Sequence, residues 1–297
     1  MAKNKKKHYL LPILLILSVL TAVFVSGCAR CRTARLHSTP HTLSSHSALM
    51  IDLDGGEICY AKNHNEKLPI ASLTKIMTAL VVIEQTEDLD KEYTFTEDTV
   101  ERMKKNHASV AGFKAGERVS VRDMLYGIML PSGGDAALGA ASCTAGGEAD
   151  FVELMNLRAE ELGMENTHFS DVTGLDDADN YSTAADMALL FATALENRVF
   201  FDIVTADKYL TRATEHHKNG ILLESTLNEP VKEYSLETKI LGGKTGYTTG
   251  AGLCLASYAE LEGRRYILVT LGAGDGKKYP SYHFEDAAVL YDKYYMA

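Results

Sequence analysis

The chain has 297 residues, 46% of them hydrophobic and 24% charged, which is the composition of a globular protein with material for one large core or two small ones. Its net charge is −10, and because the first 27 residues carry four lysines and no acid, the remainder carries −14. Such an acidic body argues against nucleic-acid binding, which needs a basic face for the phosphates.

The first segment reads as an export address. Lys3, Lys5, Lys6 and Lys7 form a basic start, and an apolar stretch follows from Leu10 to Val25, broken by Pro12, Ser18 and Thr21. It ends in Val25-Ser26-Gly27-Cys28, with small residues where a signal peptidase would cut. Residues 1–27 are therefore a signal peptide or a signal anchor, and the rest of the chain lies outside the cell membrane. Val25–Cys28 resembles a bacterial lipobox, which would make Cys28 a site of lipid attachment and the new N-terminus. Cys28 and Cys31 also form a Cys-x-x-Cys pair, but no second pair follows to complete a metal site. Residues 28–45 are rich in Arg, Thr, Ser and His and poor in large apolar side chains, so they read as a flexible tether. His37, His41 and His46 fit a solvated linker better than a metal tract.

Structure begins near residue 46. Ala48–Leu53 and Glu57–Tyr60, joined by Asp54-Gly55-Gly56, read as a β-hairpin. Apolar residues at helical spacing (Leu73, Ile76, Met77, Leu80) predict a helix from Ser72 to about Glu84. Further helices are expected at Val121–Met129, Gly147–Leu162 and Thr183–Leu195, strands at Leu253–Tyr258 and Arg265–Leu271, and a final helix at His283–Tyr295. Strands at both ends around a helical middle predict one α+β unit, residues 46–297, whose N-terminal hairpin joins the C-terminal strands in one antiparallel sheet. Cysteines number five, an odd count that argues against a disulfide-stapled scaffold. Cys59, Cys143 and Cys254 sit among apolar or small residues and read as buried free thiols, with a Cys59–Cys254 or Cys143–Cys254 bridge left open.

Three short motifs could carry chemistry. Ser72-Leu73-Thr74-Lys75 holds the sole Ser-x-x-Lys of the chain, and on a helix that spacing places both side chains on one face. A serine hydroxyl becomes an effective nucleophile when a neighbouring base takes its proton, and a lysine with a lowered pKa can do so. Pro131-Ser132-Gly133-Gly134-Asp135 follows an apolar stretch, with Asp135 expected to be a helix cap. Lys244-Thr245-Gly246 follows Gly242-Gly243, and a strand glycine there would let a ligand approach the backbone. A second ammonium near Lys75 would disfavour its protonation.

Ser-x-x-Lys, a Ser-x-Asn-type turn and Lys-Thr-Gly together compose the site of serine enzymes that recognise β-lactams. Beyond them, Ile70–Thr78, Leu162–Phe169, Gly174-Leu175, Ser182–Asp186 and Lys244–Thr248 resemble the low-molecular-mass penicillin-binding proteins, the D-alanyl-D-alanine carboxypeptidases. The resemblance covers about residues 46–297. It implies a β-lactamase/transpeptidase-like fold, with the antiparallel sheet packed against a helical subdomain. It also implies a peptidoglycan stem peptide as substrate, β-lactams as covalent inhibitors, and no metal or organic cofactor. By the same resemblance, Ser72 is the nucleophile, Lys75 its base and Ser132 the proton relay. Lys244, Thr245, Gly246 and Tyr247 are substrate-binding, with Lys244 and Thr245 on the terminal carboxylate and the Ser72 and Tyr247 N–H groups as the oxyanion hole. Gly134 departs from the pattern, since the family usually has an asparagine there, and its replacement by asparagine is expected to raise activity. The chain also ends soon after the catalytic unit, and an N-terminal anchor would supply the membrane attachment that many relatives place at the C-terminus.

Other polar groups have plainer readings: His216-His217 as a solvated loop, Asp171 and Asp176-Asp177 as surface loop charges, and the tyrosines from Tyr279 to Tyr295 as packing. A class A-like β-lactamase would need a deacylating glutamate in its own loop pattern, where this chain has Leu162–Phe169. A zinc peptidase would need clustered ligands. A membrane-anchored β-lactam or muropeptide sensor with little turnover would be consistent with Gly134.

Overall fold

The computed structural model describes residues 43–236, 240–276, 278 and 281–295. The export segment 1–27, Cys28 and Cys31, the tether up to residue 42, and Tyr279 lie outside the described residues.

The hairpin forms as the pattern predicts, with β1 (Ser47–Asp52) and β2 (Glu57–Lys62) antiparallel and a bulge between Met50 and Ile51. β7 (Ile240–Thr248), β8 (Gly252–Leu261) and β9 (Arg264–Leu271) complete a five-stranded antiparallel sheet of order β2-β1-β9-β8-β7. β1 therefore bonds directly to β9 across the length of the chain, pairing Ser47 with Leu271. Strand alternation sends Leu49, Ala256, Ile267 and Val269 to one face, and Met50, Leu255 and Leu268 to the other. Both faces are covered. Helix Ala184–Leu195 packs on the first, and the C-terminal helix Tyr282–Tyr295 on the second, where buried Tyr291 pairs its hydroxyl with Ser257 at 2.8 Å.

At the centre of the helical part lies α1 (Thr74–Gln85), entered through a 3-10 turn at Ala71–Leu73. Every residue from Thr74 to Val82 is buried, as expected for a helix with neighbours on all sides. Around it pack α3 (Val121–Met129), α4 (Gly134–Ala145), α5 (Glu148–Leu162), α6 (Ala184–Leu195) and α7 (Arg198–Val204). α2 (Glu97–Lys105) lies against α4. Small ribbons pair β3 (Glu92–Thr94) with β4 (Arg118–Ser120), and β5 (Lys208–Leu210) with β6 (Leu222–Glu224).

Two expectations need correction. Leu43–Ser45, read as the end of the tether, belong to the folded unit. Leu43 and Ser45 are buried, and the backbone N–H groups of Ser44 and Ser45 donate to the Asp286 carboxylate at 2.9 and 2.7 Å. Of the three cysteines among the described residues, Cys254 alone is fully buried; Cys59 and Cys143 are half-buried, and neither the Cys59–Cys254 nor the Cys143–Cys254 bridge forms.

Candidate active site

The first residues of the site owe their position to two glycines. Gly174 has φ +80°, and a Cβ on it would lie 1.9 Å from the Ala71 carbonyl oxygen. On the other side, a Cβ on Gly246 would sit 3.0 Å from the Ser72 nitrogen. The turn carrying Ser72 is thus gripped between the 171–174 segment and β7. Ala71 itself has φ +47°, an uncommon value for a residue with a side chain.

The following helical turn brings Lys75 beside Ser72, and its Nζ donates to Ser72 Oγ at 2.9 Å and to the Thr173 carbonyl at 2.5 Å. Ser72 is half-buried, whereas Lys75 is 3% exposed. Burial pushes the Lys75 ammonium down to about 8, with the Asp171 and Asp135 carboxylates opposing that fall. The pair has the geometry of a nucleophile and its base.

Ser132 enters from the turn between α3 and α4, with φ +64°, again a strained value. Lys244 on β7 donates from Nζ to Ser132 Oγ at 2.8 Å and to the Thr245 carbonyl at 2.7 Å. Burial, and secondarily the charge of Lys75, holds Lys244 well below the ordinary lysine value. Lys244 is fully buried and faces Ser132. The neighbouring Thr245 lines the cleft. Thr245 shares a 2.8 Å hydrogen bond with the hydroxyl of Thr226, a residue the sequence reading missed.

Ser72, Lys75, Ser132, Thr245, Gly246 and Tyr247 line one cleft of about 700 Å³. Tyr247 stands at its mouth, 38% exposed. Residues 106–109, after α2, also line it, as do Thr173, Asp176 and His283. Among the described residues no group of three or more His, Cys, Asp or Glu is placed to hold a metal, and no helix is long and apolar enough to cross a membrane.

Gly134 does not line the cleft. Its N–H donates to the Ser109 carbonyl at 2.8 Å, and a Cβ there would fall 2.4 Å from Met103 Sδ. The sulfur of a buried methionine thus occupies the space where a side chain at this position would begin. Asp135 is not the expected cap: Gly133 is the N-cap, without a side-chain cap, and Asp135 lies in the first turn of α4. Its carboxylate accepts from the backbone N–H groups of Ala111, Gly112 and Phe113 as well as Ala136, fastening the 111–113 segment beside the Ser132 turn.

One loop reading changes, and two hold with partners that the sequence did not show. Asp171, expected at the surface, is 9% exposed and organises the Thr173–Gly174 turn. Asp176 accepts from the Thr248 hydroxyl and, at 3.2 Å, from the Gly250 N–H, tying its loop to the end of β7. His217 Nδ1 lies 2.8 Å from the buried carboxylate of Glu117, so this loop is anchored. An Asp-x-Thr-Gly sequence is a turn signature, and could have flagged Asp171 in advance.

The profile of a family described as D-alanyl-D-alanine carboxypeptidase matches residues 34–275. DacF of Bacillus subtilis, a D-alanyl-D-alanine carboxypeptidase, is 36% identical over 274 residues, which span 91% of this chain and 67% of DacF. The carboxypeptidase DacD of Escherichia coli is 34% identical over 249 residues, 80% of this chain and 61% of DacD. This chain thus spans about two thirds of the length of these relatives. The crystal structure of a Streptomyces DD-transpeptidase superposes with a TM-score of 0.76 at 30% identity, covering 86% of this chain and 98% of that one. Matched over most of its length, and with Ser72, Lys75, Ser132 and Lys244 interlocked around one cleft, the chain belongs to the D-alanyl-D-alanine carboxypeptidase family of serine peptidases.

Proposed function

We propose that the protein removes the terminal D-Ala from peptidoglycan stem pentapeptides through an acyl-enzyme on Ser72, and that β-lactams acylate the same hydroxyl. The observation that carries this reading is the 2.9 Å contact between Lys75 Nζ and Ser72 Oγ, deep in the cleft beside the Ser132–Lys244 pair. Neutral Lys75 takes the Ser72 proton as Oγ attacks the carbonyl carbon of the penultimate D-Ala. Charge on the carbonyl oxygen is met by the backbone N–H groups of Ser72 and Tyr247, each worth about 3–4 kcal/mol in comparable sites. Ser132 passes a proton to the departing D-Ala nitrogen, and buried Lys244 holds Ser132 in place for that transfer. The paired Thr245 and Thr226 hydroxyls receive the terminal carboxylate. Ser132 recovers its proton from the Lys75 ammonium, and the neutral Lys75 takes a proton from the water that attacks the ester and returns it to Ser72.

The same proposal places the catalytic unit outside the cell membrane. Residues 1–27 serve as a signal peptide or signal anchor and Cys28 as the lipid attachment site. A tether links it to the folded unit. Support comes from the basic start, the apolar stretch and the small residues before Cys28.

The test incubates the purified protein with a pentapeptide ending in D-Ala-D-Ala and measures free D-Ala, alongside labelling by a fluorescent penicillin. D-Ala release and labelling should both vanish in Ser72→Ala. Labelling without D-Ala release would replace the enzyme by a sensor, and undiminished labelling of Ser72→Ala would remove the nucleophile assignment. Mass spectrometry of the membrane fraction should find Cys28 N-terminal and lipidated; an intact residue 1–27 segment would favour the anchor.

A further inference from the structure

Asp171 is a carboxylate with no part in the chemistry proposed above, yet it is almost entirely buried behind the base. Its Oδ1 accepts from the Thr173 N–H, from the Thr173 hydroxyl at 2.9 Å and from the Gly174 N–H at 2.6 Å. Three donors on one oxygen fold residues 171–174 into a tight turn. That turn aims the Thr173 carbonyl at Lys75 Nζ and lets Gly174 press against the Ala71 carbonyl.

We infer that Asp171 is a positioning residue for the general base: it fixes the Thr173 carbonyl as an acceptor for the Lys75 ammonium, and its own negative charge favours that ammonium over the free amine. A carbonyl held against an –NH3+ group stabilises the protonated form, as does an anion nearby in a poorly solvated site. Lys75 is faced by Asp171 from this turn, by Asp135 from α4 and by Lys244 from β7. Arg102 of α2 also feels Asp171, but its guanidinium is already paired with Glu148 of α5, whose carboxylate reaches the Val172 N–H at 3.4 Å. The two carboxylates thus offset the burial of Lys75, and Asp171 does so from the segment that also shapes the Ser72 turn. Without such an offset the lysine would be neutral over a wider pH range. It would then be a weaker base for the serine proton and a weaker acid when that proton must be returned.

The inference rests on Lys75 as the base, and the experiment separates the two. Acylation by a fluorescent penicillin is followed from pH 5.5 to 9.5 in wild type, Asp171→Asn, Thr173→Val and Lys75→Ala. Wild type should accelerate as Lys75 loses its proton, with a midpoint near 8. Asparagine retains an oxygen for the three donors but no charge, so the turn persists and the midpoint falls. Each half unit of that fall raises the deprotonated fraction about threefold well below the midpoint, so acylation at pH 6.5, relative to the variant's own plateau, should rise about threefold or more. Thr173→Val removes a hydrogen bond and keeps the charge, so its midpoint should stay with wild type whatever its plateau. A side-chain NMR titration of Lys75 in a Ser72→Ala background reads the same shift without turnover, should Asp171→Asn acylate too slowly to profile. A midpoint for Asp171→Asn that superimposes on wild type overturns the inference, provided Lys75→Ala is inactive throughout. Acylation by Lys75→Ala at the normal rate overturns the base assignment and the inference together.

Discussion

Replacing Gly134 by asparagine, the residue that the family pattern carries there, probes what fills the space beside the Ser132 turn. The new Cβ would lie 2.4 Å from Met103 Sδ, whereas comfortable contacts between such atoms begin at about 3.5 Å, so the sulfur must retreat by roughly 1 Å. Met103 has no exposed surface to retreat towards, although its unbranched side chain can change rotamer. Overpacking of this kind costs about 1–3 kcal/mol, which for a domain of this size lowers the melting temperature by about 2–12 °C. Gly134 has no left-handed backbone, so the loss is steric and not conformational. With the side chain driven against Met103, penicillin acylation should not rise above wild type. Met103→Ala opens the space, and asparagine at 134 should then cost at least about 1 kcal/mol less than it does in the wild-type background. In that background alone an asparagine amide can turn towards the cleft and raise acylation relative to Met103→Ala. Thermal melts and acylation rates of the four proteins complete the cycle. If Gly134→Asn alone melts with wild type and acylates faster, Met103 does not obstruct the position and the steric reasoning is wrong.

Lys244→Ala should slow acylation by about 10²-fold or more, because Ser132 loses the ammonium that holds its hydroxyl; rates within twofold of wild type would show that Ser132 needs no such partner. Asp135→Ala strips four backbone N–H groups of their acceptor, each costing about 1–3 kcal/mol when buried, so it should express poorly or melt far below wild type. Asp135→Asn, which keeps an acceptor oxygen, should recover much of that loss in a thermal melt; equal melting of the two variants would count against the fastening role.

Elements with a strong period were legible in the sequence. The hairpin, the central helix, Val121–Met129 and the strands β8 and β9 fall within a few positions of their expected ends. α4 was not, because Gly134 and Gly139 lower helix propensity and a run of small residues blurs the apolar period, while tertiary burial keeps the helix folded. α2 is mostly charged, with Thr99 and Met103 as its buried residues, and gave little apolar signal. At the site, motif order identified Ser72, Lys75, Ser132 and Lys244 because those residue types are chemically distinctive. The direction of a side chain was another matter. Lys244 turning inward, Met103 filling the place beside Gly134 and Asp171 folding behind Lys75 all arise from packing between segments far apart in the chain.

The two glycines that grip the Ser72 turn should respond differently to one methyl group. At Gly246 an alanine Cβ would stand 3.0 Å from the Ser72 nitrogen, 3.1 Å from the Ala71 Cβ and 3.2 Å from the Ile70 carbonyl. Those contacts are tight by a few tenths of an ångström, which the turn can yield by shifting away from β7. The shift moves Ser72 relative to Tyr247 on β7, and losing one oxyanion donor in this way lowers the rate by about 10²–10³-fold. The global melt should change little, because no buried group loses its partner. At Gly174 the methyl group would meet the Ala71 carbonyl oxygen at 1.9 Å, and the residue has φ +80°. Backbone cannot step aside as a side-chain end does, and the left-handed conformation adds about 1–3 kcal/mol. Gly174→Ala should therefore lose both stability and acylation, while Gly246→Ala loses acylation alone. Penicillin labelling rates beside thermal melts distinguish them. If Gly246→Ala labels at the wild-type rate, the close approach of β7 to the Ser72 turn is not what aligns the nucleophile.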